Sequence, residues 1–187
     1  MIKLQQHFYE TLLPQLQKDL GISSTFALPR LKKIVVNMGV SDPQEPRARK
    51  AALENVSEQF ASITGQKPVI TNARKSIANF KLREGDPMGV TVTLRGKRMW
   101  QFLEKLLSIA LPRVKDFQGV SRTAFDGNGN YSMGVHEQII FPEVNYDTIE
   151  RIRSFQIVFV TSAETNESAF KLLEALGMPF MKETIKG

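Results

Sequence analysis

The chain has 187 residues, 42% hydrophobic and 24% charged, which suits one substantial domain with its own core or at most two small ones. With no cysteine, disulfides and thiolate metal sites are excluded, and no apolar run reaches the roughly 18 residues of a membrane span. The opening residues Met1 to His7 are polar and unlike a secretion signal, so a reducing, cytosolic setting is expected. The net charge of +6 is unevenly spread: +3 over residues 1–71, +7 over 72–125 and −4 over 126–187. A cationic middle third of that density points to a polyanionic partner, because neutralising phosphates releases counterions.

Leu4, Phe8, Leu12, Leu16 and Leu20 recur every fourth residue and predict an amphipathic helix over the first twenty positions. Pro14 lies inside it and should bend or split it, since an interior proline costs about 3 kcal/mol in a straight helix. Gly21 is its natural stop. Residues 34–40 predict a strand with Ile34, Val36, Met38 and Val40 on one face and Lys33, Val35 and Asn37 on the other. A helix over 47–63 follows, with Ala52, Val56, Phe60 and Ile63 as its buried stripe and Gly65 as its close.

Residues 68–71 read as a short strand. Residues 90–94 alternate cleanly, with Val90, Val92 and Leu94 facing one way and Thr91, Thr93 and Arg95 the other. The connection between these strands, residues 72–89, is long for a compact domain, and such loops are usually functional or disordered. A second amphipathic helix runs from Met99 to Leu111 and ends at Pro112. An irregular stretch over 113–130 follows, then strands over 131–140 and 155–161. The last helix, 166–176, uses Phe170, Leu173 and Leu176 and is capped by Gly177 ahead of Pro179. This order predicts a single α+β domain over residues 1–187. Its sheet of about five strands should be mostly antiparallel, with helices packed on one face and a polar face left open. Open polar sheets are a recurrent RNA-binding surface.

Catalysis has little support. His7 and His136 fall in different elements, and no nucleophile elbow, phosphate-binding loop or dinucleotide fingerprint is present, so no catalytic residue, cofactor or metal is assigned. Asp126, Asn128, Asn130 and Glu137 match four positions of a calcium-binding loop, but Tyr131 stands where that loop needs glycine. A glycine-rich turn entering a strand explains the segment better. The strongest functional candidate is the run from Arg74 to Arg83. Arg74, Lys75, Lys81 and Arg83 surround Phe80, a composition that suits phosphates plus one side chain that either stacks on a partner or packs down.

Several runs then become recognisable: Lys33-Ile34-Val35-Val36-Asn37-Met38-Gly39, Thr64-Gly65-Gln66-Lys67-Pro68, Lys75-Ser76-Ile77-Ala78 and Phe80-Lys81-Leu82-Arg83-Glu84-Gly85. With Val92-Thr93-Leu94-Arg95-Gly96, Ser108-Ile109-Ala110-Leu111-Pro112-Arg113-Val114, Gly129-Asn130-Tyr131 and Glu137-Gln138-Ile139-Ile140-Phe141-Pro142-Glu143, they span nearly the whole chain. In order and spacing they resemble the family of 5S RNA-binding proteins of the bacterial large ribosomal subunit. The resemblance implies 5S rRNA contacts at Lys33, Asn37, Gln66, Lys67, Val69, Thr71, Thr91, Thr93 and Arg95, of which Lys33, Asn37, Thr91, Thr93 and Arg95 already lie on the polar strand faces. It further implies that Arg74, Lys75, Ser76, Lys81 and Arg83 of the basic loop reach peptidyl-site tRNA. Glu143 and Asp147 would face a basic small-subunit protein across the subunit interface. Other implied partners are 23S rRNA and proteins of the central protuberance, with no membrane and a cytoplasmic location in the ribosome. Asn72, Gln118 and Asn128 are neutral where the family commonly carries a basic residue, and the segment from Ser41 to Arg49 has an unusual length.

Overall fold

Proline decides how the first helix is built. In the computed structural model, which describes residues 2–43, 45–144 and 149–181, α1 (Lys3–His7) passes through a π turn (Phe8–Leu12) into α2 (Leu13–Leu20) without a break. Pro14 has no N–H to offer, and its ring crowds the carbonyl four residues back. The chain widens just ahead of it, with the Leu13 N–H donating to Phe8 O across five residues. Helix α4 (Gly96–Lys105) repeats the device: a π turn (Leu106–Ala110) closes with the Leu111 N–H on Leu106 O, and Pro112 follows. The bend expected at Pro14 is replaced by a local underwinding, and the same underwinding precedes Pro112, where the helix was expected to end.

Five strands form an antiparallel sheet in the order β2-β3-β1-β5-β4: β1 (Leu31–Gly39), β2 (Val69–Asn72), β3 (Pro87–Leu94), β4 (Tyr131–Val135) and β5 (Phe155–Thr161). The expected α+β class holds. The chain gathers into two compact units, Met1–Ile34 with Arg95–Met133 and Val158–Gly187, and Val35–Leu94 with Gly134–Ile157.

In the first unit, Phe8, Leu12 and Leu16 are buried, and Phe8 meets Trp100 of α4 at 5.3 Å between ring centres. Helix α5 (Asn166–Ala175) starts at Thr165, whose hydroxyl accepts the Ser168 N–H. Its core residues are Ala169, Leu172 and Leu173, with Leu176 just beyond. Phe170, expected in the core, is only half-buried: its ring lies 4.6 Å from Phe180 and carries the Arg122 guanidinium at 4.7 Å.

The irregular stretch 114–130 is nailed to this unit. Phe125 packs 4.8 Å from Tyr131 and 6.4 Å from both Phe170 and Phe180. The Tyr131 hydroxyl donates to Ser121 O at 2.7 Å, and burial pushes its pKa up to about 12. Val120 N–H donates to Pro179 O and accepts Met181 N–H at its own carbonyl, so the stretch is tied to the residues after α5. The glycine-rich turn uses the Asp126 carboxylate internally. One oxygen accepts the Asn128 and Asn130 N–H groups at 2.8 and 3.0 Å, and the other accepts the Asn130 amide at 2.7 Å. These bonds, that of the Asn130 side chain foremost, hold the Asp126 carboxyl below the usual carboxylate range. Both carboxylate oxygens therefore serve the turn. Gly129, at φ 75°, sits so close to Ala163 O that no Cβ fits there.

In the second unit, α3 (Pro46–Thr64) buries Ala52, Leu53, Val56, Phe60 and Ile63 and ends at Gly65 in the left-handed region. Phe60 meets Phe155 edge to face at 5.8 Å. Arg49, only 2% exposed, spans the segment before the helix, donating from Nε to Pro43 O at 3.0 Å. The strand expected over 131–140 stops at Val135. Burial sits on odd positions through Val135 and then on Gln138 and Ile140, so the two-residue period is broken, and 138–140 form a 3-10 turn. Gln138 is the cause. Its buried amide donates to Arg151 O at 2.9 Å and accepts the Arg153 N–H at 2.5 Å, doing with a side chain what a strand does with its backbone.

Candidate nucleic-acid interface

Alternation along β1 and β3 separates two faces within the second unit. Val36, Met38, Val90, Val92 and Leu94 are buried; Val35, Thr91 and Thr93 are half-buried and Asn37 is exposed. Pairing of β2 with β3 sets Val69 opposite Thr91 and Thr71 opposite Gly89, so Val69 and Thr71 share the face of Thr91, and both are exposed. Gly89 is needed here: a Cβ would meet Met38 O at 2.8 Å and the Thr71 hydroxyl at 3.0 Å. The result is a shallow polar surface where three strands run close together. Thr91 Oγ1 donates to Val36 O at 3.3 Å and retains acceptor lone pairs.

Gln66 and Lys67 arrive at this face from the end of α3. Thr64 Oγ1 donates to Phe60 O at 2.6 Å and accepts the Gln66 N–H at 3.3 Å, and Gly65 supplies the left-handed turn. The Gln66 amide then reaches Thr93 O at 3.1 Å, and Lys67 is exposed. The structure thus brings together Asn37, Gln66, Lys67, Val69, Thr71, Thr91 and Thr93. Lys33 and Arg95 belong to the other unit, Lys33 half-buried on β1 and Arg95 exposed as the residue that opens α4.

The loop between β2 and β3 runs over 73–86, since Asn72 and residues 87–89 are strand. It is a small folded object. Ala73 and Asp86 pair through Ala73 N–H and Asp86 O at 2.8 Å, and Ile77 and Leu82 exchange N–H to O bonds of 2.9 and 3.2 Å. A 3-10 turn, Ala78–Phe80, leads into Lys81 at φ 49°. The Asp86 carboxylate accepts the Arg83 N–H, and the Ser76 hydroxyl accepts the Glu84 N–H, both at 2.9 Å. Ser76 is thereby part of the loop's own frame. Arg74, Lys75, Lys81 and Arg83 are exposed, and their side chains have no hydrogen-bond or ion-pair partner among the described residues. Phe80 is 69% exposed and Ile77 43%.

Glu143 is exposed; Asp147 lies outside the described residues. Of the neutral replacements, Asn72 ends β2, Gln118 is exposed, and Asn128 belongs to the Asp126 turn. Among the described residues no three His, Asp or Glu side chains gather as a metal site, and no helix is long and apolar enough to cross a membrane. A residue that sequence reasoning misses is Phe26, 89% exposed in the turn after α2, where Gln17 Nε2 to Ser23 O and Arg30 Nη2 to Thr25 O hold the backbone. Its place after a Ser-Ser-Thr run, outside any periodic apolar pattern, is the available signal.

Two family models match consecutive parts of the chain: one described as ribosomal protein L5 over residues 24–83, the other as the C-terminus of the same ribosomal protein family over residues 87–180. Among curated proteins, the chain is 51% identical over 180 residues to the large ribosomal subunit protein uL5 of Natranaerobius thermophilus, covering 96% of this chain and 99% of that one. Against the protein of the same name from Shewanella denitrificans the figures are 52% over 182 residues, 97% and 100%. Against that from Mesoplasma florum they are 51% over 181 residues, 96% and 98%.

Proposed function

The chain belongs to the ribosomal protein L5 family, and from that premise we propose that it binds 5S rRNA through the polar face of β1, β2 and β3 and helps attach that RNA in the central protuberance. The family is a structural component of the ribosome in the bacterial cytoplasm and not an enzyme. What carries the finer reading is one surface: Asn37, Gln66, Lys67, Val69, Thr71, Thr91 and Thr93 gathered beside each other, polar but for Val69, with Asn37, Lys67, Val69 and Thr71 exposed and the rest half-buried. Hydroxyl and amide groups at strand spacing suit ribose 2′-hydroxyls and phosphates, which is how proteins read RNA shape. Lys33 and Arg95 add cations for backbone phosphates.

Replacing Thr91 and Thr93 together by valine keeps the β-branched shape and removes both hydroxyls. We expect 5S rRNA affinity to fall about tenfold, the worth of one or two hydrogen bonds, with the fold retained. Unchanged 5S binding in a gel-shift titration would reject this surface.

The basic loop is proposed to serve peptidyl-site tRNA, through Arg74, Lys75, Lys81 and Arg83 with Ser76 in its frame; 23S rRNA and neighbouring proteins of the protuberance complete the RNA side. Glu143 and Asp147 are proposed to face a basic small-subunit protein, where complementary charge sets encounter and register. Changing both to lysine should slow subunit joining and leave 5S binding intact, and light scattering of mixed subunits against a 5S titration checks both halves.

A further inference from the structure

We infer that Phe80 is a base-stacking residue, its ring presented to the flat face of an unpaired nucleobase in the RNA that the 73–86 loop meets. This rests on the tRNA reading of that loop and adds the chemistry of recognition to it. The sequence left Phe80 two roles, stacking outward or packing down, and the structure removes the second: 69% of the residue is in solvent. Large exposed aromatics on a monomer surface call for an occupant when their backbone is fixed, because a fixed ring forgoes the collapse that would hide it.

The backbone here is fixed. The turn Ala78–Phe80 is closed by Phe80 N–H on Ile77 O at 3.2 Å and Lys81 N–H on Ala78 O at 3.0 Å, inside the Ile77 to Leu82 pair. Binding therefore has little loop ordering to offset. The surroundings select the class of partner. Arg74, Lys75, Lys81 and Arg83 share the loop with the ring, exposed and without partners among the described residues, so the loop carries a field that attracts phosphates. An aromatic interleaved with cations is the arrangement that grips single-stranded or unstacked nucleotides, the cations tracking the backbone and the ring taking a base.

The two contributions separate by salt. Vacant ribosomes carrying wild-type protein, Phe80→Ala, Phe80→Leu or Phe80→Trp are titrated with deacylated tRNA at several salt concentrations. Ala and Leu should weaken peptidyl-site binding alike, roughly fivefold or more, at every salt and with unchanged slope, because leucine restores apolar area without a π face. Trp should bind at least as well as wild type. The melting temperature of the free protein should not move. Leucine behaving as wild type, or a change of salt slope in Phe80→Ala, overturns the stacking role. So does normal tRNA binding combined with loss of a protein neighbour in cross-linking, which would make Phe80 a protein contact. A variant with the four cations changed to alanine separates the failures. If it binds normally too, the tRNA reading of the loop falls along with the stacking role; if it alone weakens, only the stacking role falls.

Discussion

Two irregular stretches of this chain look alike on paper and behave in opposite ways. Residues 73–86 and 114–130 are both long and carry lysine, arginine, glycine and phenylalanine. In the second, half-buried Phe125 packs against Tyr131, Phe170 and Phe180, and backbone bonds run out to Pro179 and Met181. In the first, the described hydrogen bonds close within the loop, and Phe80 stands in solvent. Lack of regular structure thus says little about a segment's role. Where its aromatic goes, and whether its bonds leave the segment, says much more. One stretch is bound to the unit beside it without secondary structure, and the other is surface with structure of its own.

The largest effect should come from a single methyl group. Gly129→Ala forces a Cβ onto Ala163 O at a positive φ, and should destabilise by about 3 kcal/mol, lowering the melting temperature by roughly 6–12 °C. Gly85→Ala, also at positive φ but with nothing within 4 Å, should cost only about 1 kcal/mol of backbone strain. Equal losses in thermal melts would erase the contrast between the stretches. Next, alanine at Arg74, Lys75, Lys81 and Arg83 should leave melting and 5S affinity unchanged while lowering the salt slope of tRNA binding by up to about 3. Loss of 5S rRNA instead would mean the two RNA surfaces are exchanged.

Smaller effects report on the packed stretch through pH. The Tyr131 phenol is held neutral by burial, with its pKa raised to about 12 against about 10 in an unfolded chain. Its contribution is intact below pH 10 and is lost as pH rises towards 12, so alkaline melting curves should steepen there and flatten in Tyr131→Phe. The smallest effect belongs to Asp126, which is exposed. Its pKa is lowered in the folded chain, so its contribution is present above the ordinary carboxylate range and lost as pH falls through the depressed value. Asp126→Asn should remove that acid dependence, and an unchanged acid profile would assign the turn's stability to its other bonds, such as that of the Thr161 hydroxyl to Gly129 O at 2.7 Å.

Much of the fold was legible where neighbours in sequence decide the outcome. Alternation at 90–94 assigns Val90, Val92 and Leu94 inward and Thr91 and Thr93 outward, and the structure agrees. The same period fails after Val135, because Gln138 takes its partners from Arg151 and Arg153, which no local pattern announces. Helical spacing puts Phe170 in the core, yet the half-open aromatic group it joins comes from residues 125 and 180. Of the site, the threonine face could be read from local pattern. The frame of the basic loop, with Ser76 and Asp86 turned inward, could not, because it depends on pairings across the loop. The RNAs proposed as partners rest on family resemblance, since strand period and charge are indifferent to RNA identity.

The π turn ahead of Pro14 has a consequence for register. On an ordinary helix, residues four apart advance by about 40° per step, so a stripe spaced strictly by four spirals off the buried side within a few turns. One wider turn slows that advance, and Phe8, Leu12 and Leu16 all remain buried across it. The proline and the four-residue spacing therefore belong together: the ring imposes the underwinding that the spacing requires. A helix made straighter by removing Pro14 would gain intrinsic propensity and lose phase, rotating Tyr9 or Leu13 toward positions that Phe8 and Leu12 now fill.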